Sequence, residues 1–135
     1  MKEFICTILG GISTGLIYLL GGFDIALQAI IIAIILDFVT GIVKAFITKE
    51  LSSQIGFKGC LKKVSIFFVI MLGVLIDRIA GNTGAIRTLI IYYFVANEGL
   101  SIIENLGQAG VPIPQVLKDS LKALKKKGNA KDARN

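Results

Sequence analysis

Long, uninterrupted runs of apolar residues dominate the chain. Four of them, at residues 4–23, 25–43, 64–80 and 87–106, are each near the roughly 17–25 residues with which an α-helix crosses a bilayer. Their apolar positions are continuous rather than alternating, which favours helices over the strands of a barrel. The pattern therefore predicts four transmembrane helices.

The connections between the runs predict how these helices are joined. The links at 21–24 and 81–84 are short and rich in turn formers, as helical hairpins require. The middle connection, 44–63, is longer and polar. Beyond residues 110–114, apolar residues recur at helical spacing among lysines, which indicates a helix suited to a membrane surface. The predicted fold class is all-α: an integral membrane protein with two transmembrane helical hairpins and a short C-terminal amphipathic helix.

Basic residues indicate the orientation of the predicted helices. Lysine and arginine collect on the cytoplasmic side of a membrane protein. The middle connection and the C-terminal tail are basic, whereas the two short links contain neither lysine nor arginine. We therefore expect both termini and the middle connection to be cytoplasmic. The lysines expected at the membrane surface are Lys58, Lys62, Lys63, Lys122, Lys125, Lys126 and Lys127.

Composition agrees with a membrane protein. Hydrophobic residues make up 54% of the chain and charged residues only 18%, against about 45–50% and about 25% in soluble domains. We predict a transmembrane domain at 1–106 and a basic cytoplasmic tail at 107–135. The first apolar run is longer than the core of a signal peptide and no small-residue cleavage site follows, so we interpret it as a retained span.

The tail carries most of the net charge. Seven basic and two acidic residues lie in 107–135, which gives +5 of the chain's net +6. Nucleic-acid binding is one interpretation of such a cluster, but contact with anionic lipid explains it better. We expect a lipid partner and no nucleic-acid partner.

The residue types required for catalysis or metal binding are scarce. There is no histidine, and the two cysteines, Cys6 and Cys60, have no zinc-site spacing. Both are expected on the cytoplasmic side, where thiols stay reduced. No nucleophile–base arrangement or phosphate-binding loop is evident. The chain is predicted not to be an enzyme and to need no cofactor or metal.

The fourth predicted helix carries an unusual polar stripe. At about 100° per residue, its polar residues fall within an arc of about 120°. They are Asn97, Glu98, Ser101, Glu104, Asn105 and Gln108. Either this helix lies at the interface or within a static bundle, or its polar face is packed in one state and lines water in another. Whether it spans fully stays open, since a lone acidic residue at the bilayer centre costs about 2.5–3.5 kcal/mol.

Other polar residues are weaker candidates. Asp37 and Lys44 share a face of the second predicted helix, where they form either an interfacial hydrogen bond or part of a water path or subunit contact. Asp77 and Arg78, at the end of the third run, are expected to anchor the helix at the membrane boundary.

Small residues mark possible sites of close helix packing. Gly11 and Gly15 form a small-x-x-x-small pair in the first run, which lets helices approach closely. Gly41 and Gly73 lie on small faces of the second and third runs. Such faces suit packing within one subunit or between subunits.

A set of residues recurs in a specific order and spacing along the chain. In chain order they are Asp37, Thr40, Gly41 and Ala45, then Lys58, Gly59, Lys62 and Lys63, then Leu75, Ile76 and Asp77, then Arg87, Asn97, Glu98, Leu100, Ser101, Ile102, Glu104 and Asn105, and finally Gly110, Pro112 and Pro114. In this order and spacing they resemble the phage-lysis and toxin-secretion holins of clostridial and bacillar phage type. The resemblance covers roughly residues 4–127, and its most specific part is 97–105.

This resemblance implies a function. Holins of this kind oligomerise in the bacterial cytoplasmic membrane and open lesions at a set time, which releases endolysin, while some relatives assist the export of large toxins. The implied partners are further copies of the chain and the lipid bilayer, with a functional link to an endolysin or an exported toxin. The implied pore or inter-subunit face is the polar stripe.

Two other function classes remain open from the residues alone. One is a small ion-conducting channel or transporter subunit with a fixed oligomer and a narrow path. The other is a membrane accessory protein whose basic tail recruits a cytoplasmic partner. The size of what passes the membrane separates the holin from the channel, and a recruiter passes nothing.

Overall fold

The computed structural model describes residues 1–129, without the side chain of Ile55, and places them in five helices. They are α1 (Lys2–Leu19), α2 (Ile25–Thr48), α3 (Ser53–Ile79), α4 (Ala85–Gln108) and α5 (Gln115–Gly128). The first four are long and apolar enough to cross a membrane. The predicted all-α membrane fold with a shorter C-terminal helix is confirmed. The last six residues of the predicted tail, 130–135, lie outside the described part of the chain.

The middle connection differs from its prediction. The sequence indicated a polar connection at 44–63, but α2 continues to Thr48 and α3 starts at Ser53. Lys49 ends α2 in the left-handed conformation, with φ of 58°, and its N–H bonds the carbonyl of Ala45. Lysine is a good helix former, and its long side chain carries its charge away from the helix axis. The lysines of this connection therefore indicate a polar helix surface and not the end of a helix.

Helix α4 is the centre of the molecule. It packs against α2, α3 and α5. The side chains between α2, α3 and α4 form an apolar core in which Leu27, Ile30, Ile70 and Ile91 are fully buried. Gly73 lets α3 approach α4, because a Cβ at this position would lie 2.5 Å from Cδ1 of Ile90.

Helix α1 stands apart from this core. It touches the bundle sparsely, chiefly through α3, and none of its residues is buried. A Cβ added to Gly11 or Gly15 would meet no atom within 4 Å. The predicted small-residue pair therefore makes no close contact within the protomer.

Candidate functional site

Three charged side chains from three helices meet midway along the bundle. The ammonium of Lys63 on α3 donates to the carboxylate of Asp37 on α2 and to Oε2 of Glu98 on α4, the latter at 2.5 Å. Asp37 is 9% exposed and Glu98 is 6% exposed. We call these residues, with Thr40 and Asn105, the mid-span cluster.

The amide of Asn105 completes the mid-span cluster. Its Nδ2 donates to Oδ1 of Asp37 at 2.9 Å and lies 3.3 Å from the hydroxyl of Thr40. Gly41 lies beside this amide, and a Cβ there would meet it at 3.7 Å, an ordinary van der Waals contact. A polar group in hydrocarbon is costly unless it finds a partner. The cluster supplies those partners, and among the described residues every buried side-chain nitrogen or oxygen has one.

The mid-span cluster places two carboxyl groups around one ammonium. With both carboxylates ionised, one lysine faces two negative charges, so the cluster carries a net charge of −1. Removal of the lysine would leave two uncompensated carboxylates beside each other. The cluster thus joins α2, α3 and α4 through a single ammonium.

Lys63 is placed differently from its prediction. The sequence suggested that it lies at the membrane surface with Lys58 and Lys62. Lys58 and Lys62 are exposed on α3, whereas Lys63 is partly buried and bonds the two carboxylates. The available signal was Asp37 and Glu98 within apolar runs, since such charges need a partner. Lys44 is half-buried on α2 and lies outside the cluster.

A second polar site lies where the 21–24 turn meets the start of α4. We call its charged residues, Asp24, Asp77 and Arg87, the turn-end cluster. The Arg87 side chain, 7% exposed, donates from Nε to the carbonyl of Leu20 at 2.6 Å and from Nη2 to that of Gly22 at 3.1 Å. It also forms a two-pronged pair with Asp24, at 2.7 and 3.0 Å. The hydrogen bonds from Arg87 hold the pKa of Asp24 below its ordinary value, although partial burial opposes this.

Glycine is required beside this arginine. Gly21 has a φ of +82°, and a Cβ there would lie 2.7 Å from Nε of Arg87. The backbone can therefore approach the guanidinium only without a side chain. Arg87 attaches the α1–α2 turn to the first turn of α4.

Asp77 belongs to the same turn-end cluster and caps α4. Its carboxylate accepts the N–H of Ile86 at 3.1 Å and that of Arg87 at 2.8 Å. Asp77 is 3% exposed, so the prediction of a boundary anchor is replaced by a buried helix cap. Its neighbour Arg78 bonds the carbonyl of Tyr18 at 2.7 Å, with its guanidinium 4.1 Å from the centre of the Tyr18 ring.

Comparison with known proteins places this arrangement in a family. The model of the bacteriophage holin family matches residues 14–126. The chain belongs to the bacteriophage holin family. This is a family of pore-forming membrane proteins and not of enzymes.

Relatives of this holin-family chain include a clostridial protein and a phage protein. It is 41% identical to an uncharacterised protein of Clostridium perfringens strain 13, over 94% of this chain and 96% of that one. It is 36% identical to a probable holin of Bacillus phage phi105, over 78% of each chain. No solved structure matches it significantly.

In this holin-family chain the predicted polar stripe of α4 divides into two faces. Glu98 and Asn105 turn inward to the mid-span cluster. On an adjoining side lie Asn97, Ser101, Glu104 and Gln108. Helical geometry explains the division, because Glu98 and Asn105 are only about 20° apart around the axis, while the other four centre about 80° away.

Helix α5 covers part of this second face. Nζ of Lys125 donates to Oδ1 of Asn97 at 3.1 Å. Glu104 stays exposed and accepts from Nε2 of Gln108 at 3.5 Å. The remaining tail lysines of the prediction, Lys122, Lys126 and Lys127, are exposed on α5. We call Asn97, Ser101 and Glu104 the outer polar face of α4.

Proposed function

We propose that this chain is a holin that oligomerises in the bacterial cytoplasmic membrane and forms timed lesions. The lesions release an endolysin or, as an alternative cargo, a large toxin. Membership of the holin family supports the general role. The observation that carries the mechanism is the set of polar side chains along α4, which divides between the mid-span cluster and the outer polar face.

The packed core favours a passage between protomers over one within a protomer. Leu27, Ile30, Ile70 and Ile91 are fully buried in the apolar core between α2, α3 and α4. A folded enzyme is larger than any space that four helices can enclose. A protein-sized lesion therefore needs many copies, each contributing one wall.

The outer polar face is our candidate for the wall that meets water. Glu104 is exposed, Ser101 is half-buried, and Asn97 is bonded to Lys125 of α5. Glu98 and Asn105 become accessible only if the mid-span cluster opens. Because unpaired polar groups are costly in hydrocarbon, water in an assembled lesion offers these residues a favourable environment.

Helix α1 is our candidate for contact between copies. Its Gly11 and Gly15 leave a flat surface with no neighbour in the protomer. Small residues at this spacing allow close approach of membrane helices, where packing and not hydrophobicity drives association.

We also propose that both termini are cytoplasmic. Exposed lysines cluster on the first turns of α3 and on α5. Arg78 and Arg87, at the opposite end of the bundle, are engaged by Tyr18 and Asp24, so protein contacts offset their charge. This supports the orientation that the positive-inside rule predicts.

Expression in bacteria and release from vesicles test the proposal together. Induction should stop growth and collapse the membrane potential, and the purified full chain should release both a small dye and a large dextran from vesicles. The Glu98→Gln, Glu104→Gln double variant should change the time of release. Loss of the potential without dextran release would contradict the holin proposal.

The alternative function is a narrow ion-conducting channel or transporter subunit with a fixed oligomer. The charged groups of the mid-span cluster favour it, because charges within membrane helices often mark ion paths. It predicts leakage of ions alone, at any expression time. The dextran in the same vesicles separates the two functions.

A further inference from the structure

Helix α5 lies antiparallel against α4 at close range. A Cβ on Gly99 would lie 2.7 Å from Cδ2 of Leu121, and a Cβ on Gly128 would lie 2.6 Å from the backbone nitrogen of Tyr93. The contact on α4 moves from residue 99 back to residue 93 as the contact on α5 moves from residue 121 to residue 128. The two helices therefore run in opposite directions. The two glycines allow a backbone separation that larger residues would prevent.

Polar groups of α4 meet lysines of α5 along this contact. Beyond the bond from Lys125 to Asn97, Nζ of Lys125 lies 5.5 Å from the centre of the Tyr93 ring. A cavity of about 430 Å³ separates the two helices nearer their connection, and Glu104 lines it together with Lys118 and Lys122. The polar residues that a lesion would expose therefore already face basic side chains of the same chain.

The position of α5 has a physical consequence for α4. Helix α5 carries five lysines and one aspartate, and it extends along α4 as far as Tyr93, well within the span Ala85–Gln108. A lysine held in hydrocarbon costs about 2.5–3.5 kcal/mol on insertion scales. This side of α4 is therefore suited to water, and α5 occupies it.

We propose that α5 is an autoinhibitory cover for the outer polar face of α4. While α5 is docked, Asn97 is bonded to Lys125 and Glu104 shares the cavity with Lys118 and Lys122, so the face as a whole cannot line a lesion. Release of α5 frees the rest of the face and permits opening. This inference rests on the proposed function, since it assumes that the outer polar face forms the wet wall.

A reversible crosslink tests whether α5 must leave. Gly99→Cys and Leu121→Cys place two thiols at the helix contact, and Cys6→Ser and Cys60→Ser remove the native thiols. The full chain is placed in vesicles that contain phosphatidylglycerol, a small dye and a large dextran. Oxidation should abolish dextran release, and dithiothreitol should restore it. Equal release before and after reduction, or failure of the thiols to crosslink, would overturn the cover.

A bulky substitution tests the cover from the opposite direction. Gly99→Leu places a side chain where Leu121 sits and should displace α5, so release should start earlier than in the wild type. Gly56→Leu is the matched control, because it makes the same change in a helix where a Cβ meets no atom within 4 Å. Unchanged or later release by Gly99→Leu, relative to this control, would contradict the proposal.

The two measurements separate this inference from the proposed function. Crosslinking yield reports docking of α5 even if no vesicle content escapes. A double-cysteine chain that crosslinks at these positions but never releases dextran, even after reduction, would refute the holin proposal. A chain that releases dextran equally well with α5 clamped would refute only the cover.

Discussion

The turn-end cluster and the mid-span cluster solve the burial of charge in different ways. Around Arg87 and Asp77, most partners are backbone groups at helix ends and turns, which lack partners within their own helices. In the mid-span cluster, Lys63, Asp37 and Glu98 have mainly one another. Backbone partners fix a side chain in place, whereas partners on three separate helices separate when the helices move. The turn-end cluster is thus suited to holding the fold, and the mid-span cluster to changing it.

Removal of the shared lysine should have the largest effect. Lys63→Met leaves Asp37 and Glu98 buried without a counter-charge, and breaking a buried ion pair costs about 3–5 kcal/mol. We expect a large loss of stability against thermal unfolding in detergent. Lys62→Met is the control, because Lys62 is exposed beside it. Equal stability of the two variants would show that the mid-span cluster contributes nothing.

Substitution of the turn-end arginine should rank second. Arg87→Lys keeps the charge but cannot reproduce the two-pronged bond with Asp24 together with the bonds to Leu20 and Gly22. We expect a loss of about 1–3 kcal/mol, with lesion timing unchanged once protein amounts are matched. Arg78→Lys is the control. A change in timing as large as that of a mid-span variant would remove the distinction between the clusters.

Single glutamate variants should separate the two faces of α4. Glu98→Gln leaves Lys63 with the single carboxylate of Asp37 and removes any repulsion between two neighbouring carboxylates, so it should strengthen the closed arrangement of the mid-span cluster, which delays lysis. Glu104→Gln alters an exposed side chain and should change timing less. Culture turbidity after induction measures both. If Glu104→Gln gave the longer delay, the mid-span cluster would not be the part that controls opening.

The smallest effect should be a pH dependence at Asp24. Its pKa is lowered in the folded state by Arg87, so the carboxylate contributes stability that is fully present above its ordinary pKa. That contribution is lost as pH falls through the lower folded pKa, below about pH 4. Asp24→Asn should flatten this part of the stability curve measured by acid titration in detergent. A curve with the same acid limb in the variant would assign the limb to other groups.

The helices were predictable because each is a long apolar run bounded by turn formers. The turns at 21–24 and 81–84 were predicted correctly, because both contain glycines that adopt positive φ. The start of α3 was not predictable from hydropathy, because its first turns carry lysines that a helix accommodates. The third helix was therefore predicted to start at residue 64, whereas α3 starts at Ser53.

The partners of the charged residues were beyond the sequence. Lys63 lies 26 positions from Asp37 and 35 from Glu98, and Arg87 lies 63 positions from Asp24. Helix periodicity predicts on which face of its own helix a residue lies. It does not predict which other helix packs against that face. The stripe on α4 was visible as one arc, and only the positions of α2, α3 and α5 divided it.

The isolation of α1 has a consequence for how copies meet in the membrane. Because the helix buries no residue within its protomer, a neighbouring copy that packs on Gly11 and Gly15 displaces lipid and leaves the buried core intact. Association through α1 is then governed by mass action in two dimensions, with surface density as the variable. The number of chains per area of membrane, and not a prior unfolding step, would set when the first contacts form.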